Sequence, residues 1–269
     1  MSPFDLRKIC DDVLDLSSEV GTFISSHLNK VGNGDIEAKE KHSLVTYVDK
    51  TAEEMLVKGL SEIIPHAGFI TEEGTVDQSK DGLHWIIDPL DGTTNFIYKI
   101  PHFSISIALY NGEEGLIGVV EEVNSQEQFS AIKGCGAFLN GLKMRVSQRP
   151  LFEEAVVATG FPYRKDFDPN QYFEVISFIL KNGRGIRRMG SAALDLSYVA
   201  AGRLDAYYEG NLNPWDIAAG SLIVKEAGGK VSTFSGGSDY YSGKEILASA
   251  PQHFDILQQK LEEHLLTTA

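Results

Sequence analysis

The stretch W-I-I-D-P-L-D-G-T-T-N-F, residues 85–96, is the most informative part of the sequence. Its apolar start is typical of a buried strand, and the proline and glycine that follow predict a turn. Asp88 and Asp91 lie in that turn, where their carboxylates suit a hard cation such as Mg²⁺. Thr93-Thr94-Asn95 then predicts a helix start, whose hydroxyl and N–H groups suit an anion. The stretch therefore predicts cation ligands beside anion donors, the arrangement that magnesium-dependent phosphate chemistry requires.

The composition argues against several classes of protein. The chain has 269 residues, enough for a full core, and its net charge of −14 disfavours a nucleic-acid backbone or an anionic membrane as the main partner. Its cysteines, Cys10 and Cys135, lie in no metal-binding motif and cannot form a disulfide scaffold. The N-terminus has no basic region followed by an apolar run, and no apolar stretch reaches membrane-spanning length. We therefore expect a cytoplasmic protein with no membrane partner.

The N-terminal half, residues 1–150, is predicted to contain two helices and a mostly antiparallel sheet. Apolar residues at helical spacing predict a first helix that begins at Ser2-Pro3 and ends at the Gly32-Asn33-Gly34 break. A second helix is predicted over residues 50–64. The predicted strands cover residues 44–48, 68–71, 84–87, 103–110, 116–123 and 126–133.

The C-terminal half, residues 151–269, has a different rhythm. Strands alternate with helices, which predicts an α/β layered sheet. The predicted strands cover residues 155–159, 185–188, 204–209 and 246–250, and the predicted helices cover residues 170–181, 191–201, 215–227 and the segment from Pro251 onward. The best boundary is residues 147–154, but no long linker separates the halves, so we expect one compact unit.

Two further acidic elements resemble the first one in their placement. Glu72 and Glu73 end a predicted strand, and Asp216 opens a predicted helix. Taken alone, the Glu72-Glu73 pair fits a solvated loop, and Asp216 fits an ordinary helix cap. Their occurrence together with the first stretch indicates that all three elements meet in one crevice. The histidines are scattered without a zinc or serine-hydrolase pattern.

The chain resembles the inositol monophosphatase family, which belongs to the magnesium-dependent, lithium-sensitive sugar-phosphate phosphatases. Residues 85–96 look like the first signature of that family, and P-W-D-I-A-A-G-S-L-I-V-K-E-A-G-G, residues 214–229, looks like the second. Three more segments match in family order: L-V-T-Y-V-D-K-T-A-E, F-I-T-E-E-G and R-R-M-G-S-A-A-L-D-L. The resemblance implies an α+β or α/β fold, a layered α-β-α-β-α sandwich with the active site where the two sheets meet. It also implies a homodimer.

The resemblance implies a role for each residue that matches the family motifs. The implied ligands of two to three Mg²⁺ ions are Glu72, Asp88, the Leu90 carbonyl, Asp91 and Asp216. The implied catalytic residues, which hold and activate the attacking water, are Glu72, Thr93 and Asp49. The implied substrate-binding residues are Asp91, Gly92, Thr93, Gly190, Ser191, Ala192, Glu209 and Asp216. Arg187 and Arg188 are interpreted instead as structural partners of acids or as interface residues, and Lys39 as a surface lysine.

The predicted activity is that of a phosphoric monoester hydrolase. The favoured substrate is a small polyol monophosphate, above all myo-inositol 1-phosphate. Histidinol phosphate is an alternative, because histidinol phosphatases share both signatures. Fructose 1,6-bisphosphate is another, although it requires basic residues for its second phosphate. A further alternative, from a different class, is a non-catalytic partner of transcription or RNA-processing machinery, which would contact protein rather than nucleic acid.

Overall fold

The computed structural model describes residues 5–31, 34, 36–40, 43–161, 169–243 and 245–266. The predicted helix start at Ser2-Pro3 and most of the glycine-rich break after the first helix lie outside these residues. Within them, the first helix, α1 (Leu6–His27), is capped by the Asp5 carboxylate, which accepts hydrogen bonds from Arg7 N and Lys8 N. Capping satisfies backbone donors that have no partner inside the helix.

The second helix, α2 (Tyr47–Ile63), begins directly after a short antiparallel ladder of β1 (Ile36–Glu40) and β2 (Ser43–Thr46). Thr46 and Asp49 form a capping box at its start. The strand predicted over residues 44–48 therefore ends at Thr46, because this side chain takes up the first helical N–H groups. Asp49 lies in the first turn of α2 and not after a strand.

A seven-stranded sheet forms the centre of the N-terminal half. Its order is β3-β4-β5-β6-β7-β8-β9, with β3 and β4 parallel and the other neighbours antiparallel. Helices cover both faces, so β5 is buried along nearly all of its length and not only on alternate residues. The strands are β3 (Gly68–Thr71), β4 (Leu83–Asp91), β5 (Ser104–Asn111), β6 (Glu114–Glu122), β7 (Glu127–Ile132), β8 (Gly136–Leu139) and β9 (Leu142–Met144).

A mixed five-stranded sheet forms the centre of the C-terminal half. Its order is β11-β10-β12-β14-β13, in which β10 pairs in parallel with β11 and β12, whereas β14 is antiparallel to β12 and β13. The strands are β10 (Val156–Thr159), β11 (Gly185–Arg187), β12 (Ala206–Gly210), β13 (Lys230–Ser232) and β14 (Glu245–Ser249). The remaining helices are α3 (Thr93–Ile97), α4 (Pro169–Asn182), α5 (Ala192–Ala200), α6 (Pro214–Glu226), α7 (Tyr240–Gly243) and α8 (Pro251–Leu265).

The elements stack in five layers. α1 and α2 cover the outer face of the large sheet, α5 and α6 lie between the two sheets, and α4 and α8 cover the outer face of the small sheet. Three apolar clusters fill the spaces between these layers. This arrangement confirms the predicted layered α-β-α-β-α sandwich.

Small residues allow the middle layer to pack closely. A Cβ at Gly118 of β6 would lie 2.8 Å from the backbone oxygen of Ala219 in α6. A Cβ at Gly220 of α6 would lie 2.6 Å from the Cβ of Leu196 in α5. Side chains at these glycines would therefore push α6 away from β6 and from α5, so the close packing of the middle layer depends on these glycines.

Some short elements escape the sequence analysis, namely β1, β8, β9, β13 and α7. Their lengths of three to five residues leave too few positions for a hydrophobic period to show. In the part of the chain that the structure describes, no helix combines the length and the apolar character needed to cross a membrane. The division at residues 147–154 remains a prediction.

Candidate active site

β4 delivers two carboxylates to the edge where the large sheet meets the middle helices. Its pairing with β5 shifts register between Asp88 and Asp91, beside Pro89, which has no N–H to donate to the ladder. Asp88 is buried, and its Oδ1 accepts a hydrogen bond of 3.0 Å from Leu90 N. The strand predicted over residues 84–87 therefore continues to Asp91, and the turn predicted around Asp88 and Pro89 is an irregularity within the strand.

Gly92 makes the sharp turn from β4 into α3. Its φ of 98° lies in the left-handed region, which glycine adopts without steric penalty. A Cβ there would lie 3.1 Å from the Gly190 backbone oxygen and 3.2 Å from the His102 oxygen. Asn95 fastens the same region, because its Nδ2 donates to the oxygens of His102 and Met189 at 2.7 and 2.9 Å. The start of α3 and the segment before α5 are therefore held together.

Thr93 and Asp49 are in direct contact. The Thr93 hydroxyl lies 3.0 Å from Asp49 Oδ1 and 3.1 Å from the Leu90 oxygen, and it has one proton to share between these two acceptors. Asp49 is itself fixed, since its Oδ2 accepts from Thr46 N at 2.9 Å and from Thr46 Oγ1 at 2.6 Å. The Thr93 proton thus points into the protein, which leaves a lone pair of the hydroxyl oxygen to accept another bond.

Glu53 holds the loop that carries Glu72. This carboxylate is fully buried on α2 and accepts four hydrogen bonds: from Thr71 Oγ1 at 2.8 Å, Glu73 N at 2.7 Å, and Thr75 N and Oγ1 at 2.8 Å each. The donors lie on both sides of Glu72. Glu53 lies one helical turn after Asp49 and faces the same way. The available signal in the sequence was an acid four residues after Asp49, on the same face of an amphipathic helix. The sequence analysis did not single out Glu53.

Asp91 connects the large sheet with α5. Its Oδ2 accepts from Ser191 Oγ at 2.7 Å and from Ala193 N at 2.8 Å. Ser191 also caps α5 by accepting from Leu194 N at 3.2 Å. These bonds place Gly190, Ser191 and Ala192 beside the first acidic element.

Asp216 and Glu209 approach from the small sheet and the middle layer. Asp216 lies in the first turn of α6, where its Oδ2 accepts from Asn213 N at 2.6 Å. Glu209, near the end of β12, accepts a 2.6 Å hydrogen bond from the Tyr207 hydroxyl. A Cβ at Gly160 would overlap the Glu209 carboxylate, so only glycine leaves that carboxylate its present position.

These elements enclose a cavity of about 280 Å³. It is lined by most of the residues that the sequence analysis had expected, namely Glu72, Asp91, Gly92, Thr93, Gly190, Ser191, Ala192, Glu209 and Asp216. The other three expected residues, Asp49, Asp88 and Leu90, are buried behind this wall. A larger cavity of about 520 Å³ lies elsewhere, and none of the expected residues lines it.

The acids of the cavity oppose one another's ionisation. Burial raises the pKa of Asp88 well above its ordinary value, and the nearby charge of Glu72 raises it further. Burial also raises the pKa of Asp91 to about 6, although hydrogen bonds from Ser191 and Ala193 counteract it. The pKa of Asp216 is raised well above the usual range by burial and then by the Asp91 charge. Such a cluster of carboxylates attracts a cation.

The donor set fits magnesium. All the candidate ligands are oxygens, which hard cations prefer. Among the described residues, no three His, Cys, Asp or Glu side chains come close enough to form a closed metal cage. Mg²⁺ does not require one, because it keeps several waters and needs only one or two carboxylates per ion. The residues present are therefore compatible with hydrated magnesium ions.

Two cavity residues carry charges that the sequence analysis did not assign to the site. Arg188 was interpreted as a structural partner of acids or an interface residue, yet it lines the same cavity as Asp91, and its charge lowers the pKa of Asp91 and of Glu209. Asp195, on α5, lines the cavity as well. Both residues lie in the R-R-M-G-S-A-A-L-D-L segment. The small and apolar residues around them did not indicate that their side chains line the cavity.

Comparisons with known proteins agree along the whole chain. The family model described as the inositol monophosphatase family matches residues 5–268. A Pseudomonas aeruginosa protein named Nus factor SuhB is 40% identical over 266 residues, covering 97% of this chain and 98% of that protein. The structure of the extragenic suppressor protein SuhB from Bartonella henselae has a TM-score of 0.89 at 37% identity and covers 94% of this chain and 98% of its own. The IMPase of Thermotoga maritima has a TM-score of 0.87 at 36% identity, covering 95% and 97%. The chain belongs to the inositol monophosphatase family.

Proposed function

We propose that the protein hydrolyses a small polyol monophosphate, with myo-inositol 1-phosphate as the preferred substrate, to the alcohol and inorganic phosphate. Members of its family are metal-dependent, typically with Mg²⁺. The observation that carries the proposal is one cavity lined by buried carboxylates, which in this proposal form a metal end around Glu72 and Asp91 and an alcohol end around Glu209.

In this proposal the acidic end holds two to three magnesium ions. The side chains of Glu72, Asp88, Asp91 and Asp216 and the Leu90 carbonyl are the ligands. When bound, magnesium supplies positive charge that activates a water and stabilises the departing alkoxide. The protein then mainly positions groups, as in other phosphoryl transfers.

Thr93 and Glu72 would hold the attacking water. The Thr93 proton is directed to Asp49 or Leu90 O, so the hydroxyl oxygen is available to accept one water proton. The Glu72 carboxylate would accept the other and leave an oxygen lone pair directed at phosphorus. Asp49 acts through Thr93, because it fixes the direction of that hydroxyl.

Glu209 and Asp216 would accept hydrogen bonds from hydroxyls of the alcohol, against the wall made by Gly190, Ser191 and Ala192. The N–H groups of Gly92 and Thr93 would hold phosphate oxygens. Among the described lining residues, Arg188 is the one cation, while Asp195 and Glu209 add negative charge at this end. This surplus of negative charge favours a substrate with a neutral polyol over fructose 1,6-bisphosphate, whose second phosphate is negatively charged.

A second candidate function is that of a partner of transcription machinery. It is favoured by the relative named Nus factor SuhB, which is similar over nearly the full chain. The net charge of −14 suits a protein partner better than direct contact with RNA. Both functions can coexist in one protein. Capture of transcription proteins that persists in the Asp91→Asn variant would support the second function separately from catalysis.

The expected homodimer and cytoplasmic location remain part of this proposal. Light scattering coupled to size-exclusion chromatography tests the first, and a mass near twice 29.5 kDa would support it.

The test of the activity is phosphate release by the purified protein from four substrates, each with magnesium and with a chelator. They are myo-inositol 1-phosphate, fructose 1,6-bisphosphate, histidinol phosphate and 3′-phosphoadenosine 5′-phosphate. Chelator-sensitive turnover of the inositol phosphate well above the others would support the proposal. If another ester is hydrolysed faster, that ester becomes the proposed substrate. If none of the four esters is hydrolysed, the partner function is favoured.

A further inference from the structure

Asp195 is a buried acid with a carboxyl oxygen that accepts no hydrogen bond from the described residues. Its side chain is only 2% exposed, and within the described residues its Oδ1 has no hydrogen-bond partner. It lies on α5, one turn after the capping residue Ser191, and it lines the cavity of the candidate active site. A buried polar atom without a partner is rare in folded proteins, since it loses water and gains nothing in return.

Two other buried acids, Asp205 and Glu53, have several hydrogen-bond donors each. Asp205, which is fully buried, accepts from Arg149 Nη1 at both of its oxygens, at 3.0 and 3.1 Å, and from Val156 N at 2.8 Å. Glu53 accepts from four donors. These two acids connect elements of the fold. Asp195 makes no comparable connection, so its burial calls for a different explanation.

Asp195 lies near the residue expected to accept hydrogen bonds from the alcohol. Glu209, the expected hydroxyl acceptor, lines the same cavity, and its charge acts on Asp195, as does that of Arg188. A polyol placed against Glu209 presents several neighbouring hydroxyls, each of which is both a donor and an acceptor. A carboxyl group pairs with such a hydroxyl in a single short hydrogen bond.

We propose that Asp195 is a substrate-binding residue that, together with Glu209, hydrogen-bonds hydroxyls of the leaving polyol. This inference rests on the proposed function and deepens it. Two carboxyl groups at the alcohol end select alcohols with at least two free hydroxyls, and they discriminate against esters whose alcohol has none. Discrimination arises because an alcohol without hydroxyls leaves these buried oxygens unpaired.

The test compares the wild type with Asp195→Ala and Asp195→Asn at saturating magnesium. The substrates are myo-inositol 1-phosphate and p-nitrophenyl phosphate, whose leaving group has no further hydroxyl. We expect Asp195→Ala to reduce kcat/KM for the inositol phosphate about 10- to 100-fold, mainly through KM, which is the range for leaving a buried hydroxyl without its hydrogen-bond partner. That loss should exceed the loss on the aryl phosphate at least about tenfold. Asp195→Asn retains an acceptor and should recover part of the loss.

Thermal stability separates substrate binding from a structural role. Removing an acid whose Oδ1 accepts no hydrogen bond within the described part of the chain should leave the Tm unchanged or raise it. Asp205→Asn is the matched control, because it removes a buried acid that the fold does use. The control should lower the Tm and affect both substrates equally. A lower Tm for Asp195→Asn, or equal losses on the two substrates, would overturn the proposal.

A binding measurement keeps this inference separate from the proposed activity. Calorimetric titration of myo-inositol, with magnesium and inorganic phosphate present, requires no turnover. Weaker binding to Asp195→Ala than to the wild type supports the role of Asp195 even if hydrolysis of myo-inositol 1-phosphate fails. Equal binding to both proteins, or no binding to the wild type, contradicts it.

Discussion

Glu53 and Asp195 are both buried acids near the same cavity, but they differ in how the protein uses them. Glu53 is fully buried and accepts four hydrogen bonds from the loop around Glu72. Asp195 is 2% exposed and has an oxygen with no partner among the described residues. The first belongs to the metal end of the cavity and the second to the alcohol end. Burial alone therefore does not identify a functional acid; the balance of donors around it does.

The same contrast extends to the two ends as a whole. At the metal end, Asp49 and Asp91 are each fixed by at least two protein donors. At the alcohol end, Glu209 accepts a hydrogen bond from the Tyr207 hydroxyl, and Asp195 has an oxygen that accepts none from the described residues. A rigid metal end and an alcohol end with spare acceptors suit an enzyme with fixed chemistry and an exchangeable leaving group.

The largest expected effect is at Asp91, where the two ends meet. Asp91→Asn should reduce turnover at least about a thousandfold, equivalent to about 4 kcal/mol, because it removes a metal-binding charge. The fold should persist, since the amide oxygen can still accept from Ser191 and Ala193. Phosphate release and circular dichroism check both parts. Asp81→Asn, an exposed acid before β4, is the matched control. Substantial residual turnover in Asp91→Asn would refute the metal assignment.

Glu53 should affect metal binding without contacting the metal. In Glu53→Gln one acceptor oxygen becomes a donor that faces the N–H of either Glu73 or Thr75, so the Glu72 loop should loosen. We expect the magnesium dissociation constant to rise about 10- to 100-fold, the usual range for a residue that orients a ligand. Calorimetric magnesium titration measures this directly. Glu54→Gln, its exposed neighbour, should leave the constant unchanged. A loss of stability with unaltered magnesium affinity would make Glu53 purely structural.

The Glu209→Gln variant tests whether this carboxylate contacts the polyol at the alcohol end. Glu209→Gln should raise KM for inositol phosphates about tenfold, as expected for one weakened charged hydrogen bond, with a smaller effect on a simple aryl phosphate. Steady-state kinetics on both substrates provides the check. Equal effects would mean that Glu209 does not contact the polyol.

The smallest expected effect is on stability as a function of pH. In the metal-free protein, burial raises the pKa of Asp91 to about 6 and that of Glu209 to about 7. The folded state therefore binds more protons than the unfolded state between these values and the ordinary carboxyl range, so stability falls as pH rises through them. The Tm of metal-free protein should thus increase by a few degrees, about 2–4 °C per kcal/mol, from pH 8 to pH 5.5. Magnesium should reduce this dependence, and a Tm that rises with pH would contradict it.

The family resemblance implied the layers, and local signals predicted the starts of two helices. Thr93 and Pro214 begin α3 and α6 at or next to the expected residue, because caps and first-turn residues act locally. The end of β4 was predicted too early, since pairing with β5 extends the strand to Asp91. The shared cavity of Arg188 and Asp91 could not be deduced in this way. It depends on the packing of α5 between two sheets, and no local propensity encodes that contact. Glu53 and Asp195 were missed for a related reason, since whether a buried acid has partners is a tertiary property.

Gly160 has a consequence for how such enzymes diversify. The only residue type that leaves the Glu209 carboxylate in place at this position is glycine, since any Cβ would overlap it. A single exchange to alanine would displace the expected polyol acceptor while leaving the metal-binding residues untouched. One mutational step at Gly160 would therefore relax the selection of the leaving alcohol and retain the residues proposed for the hydrolytic chemistry.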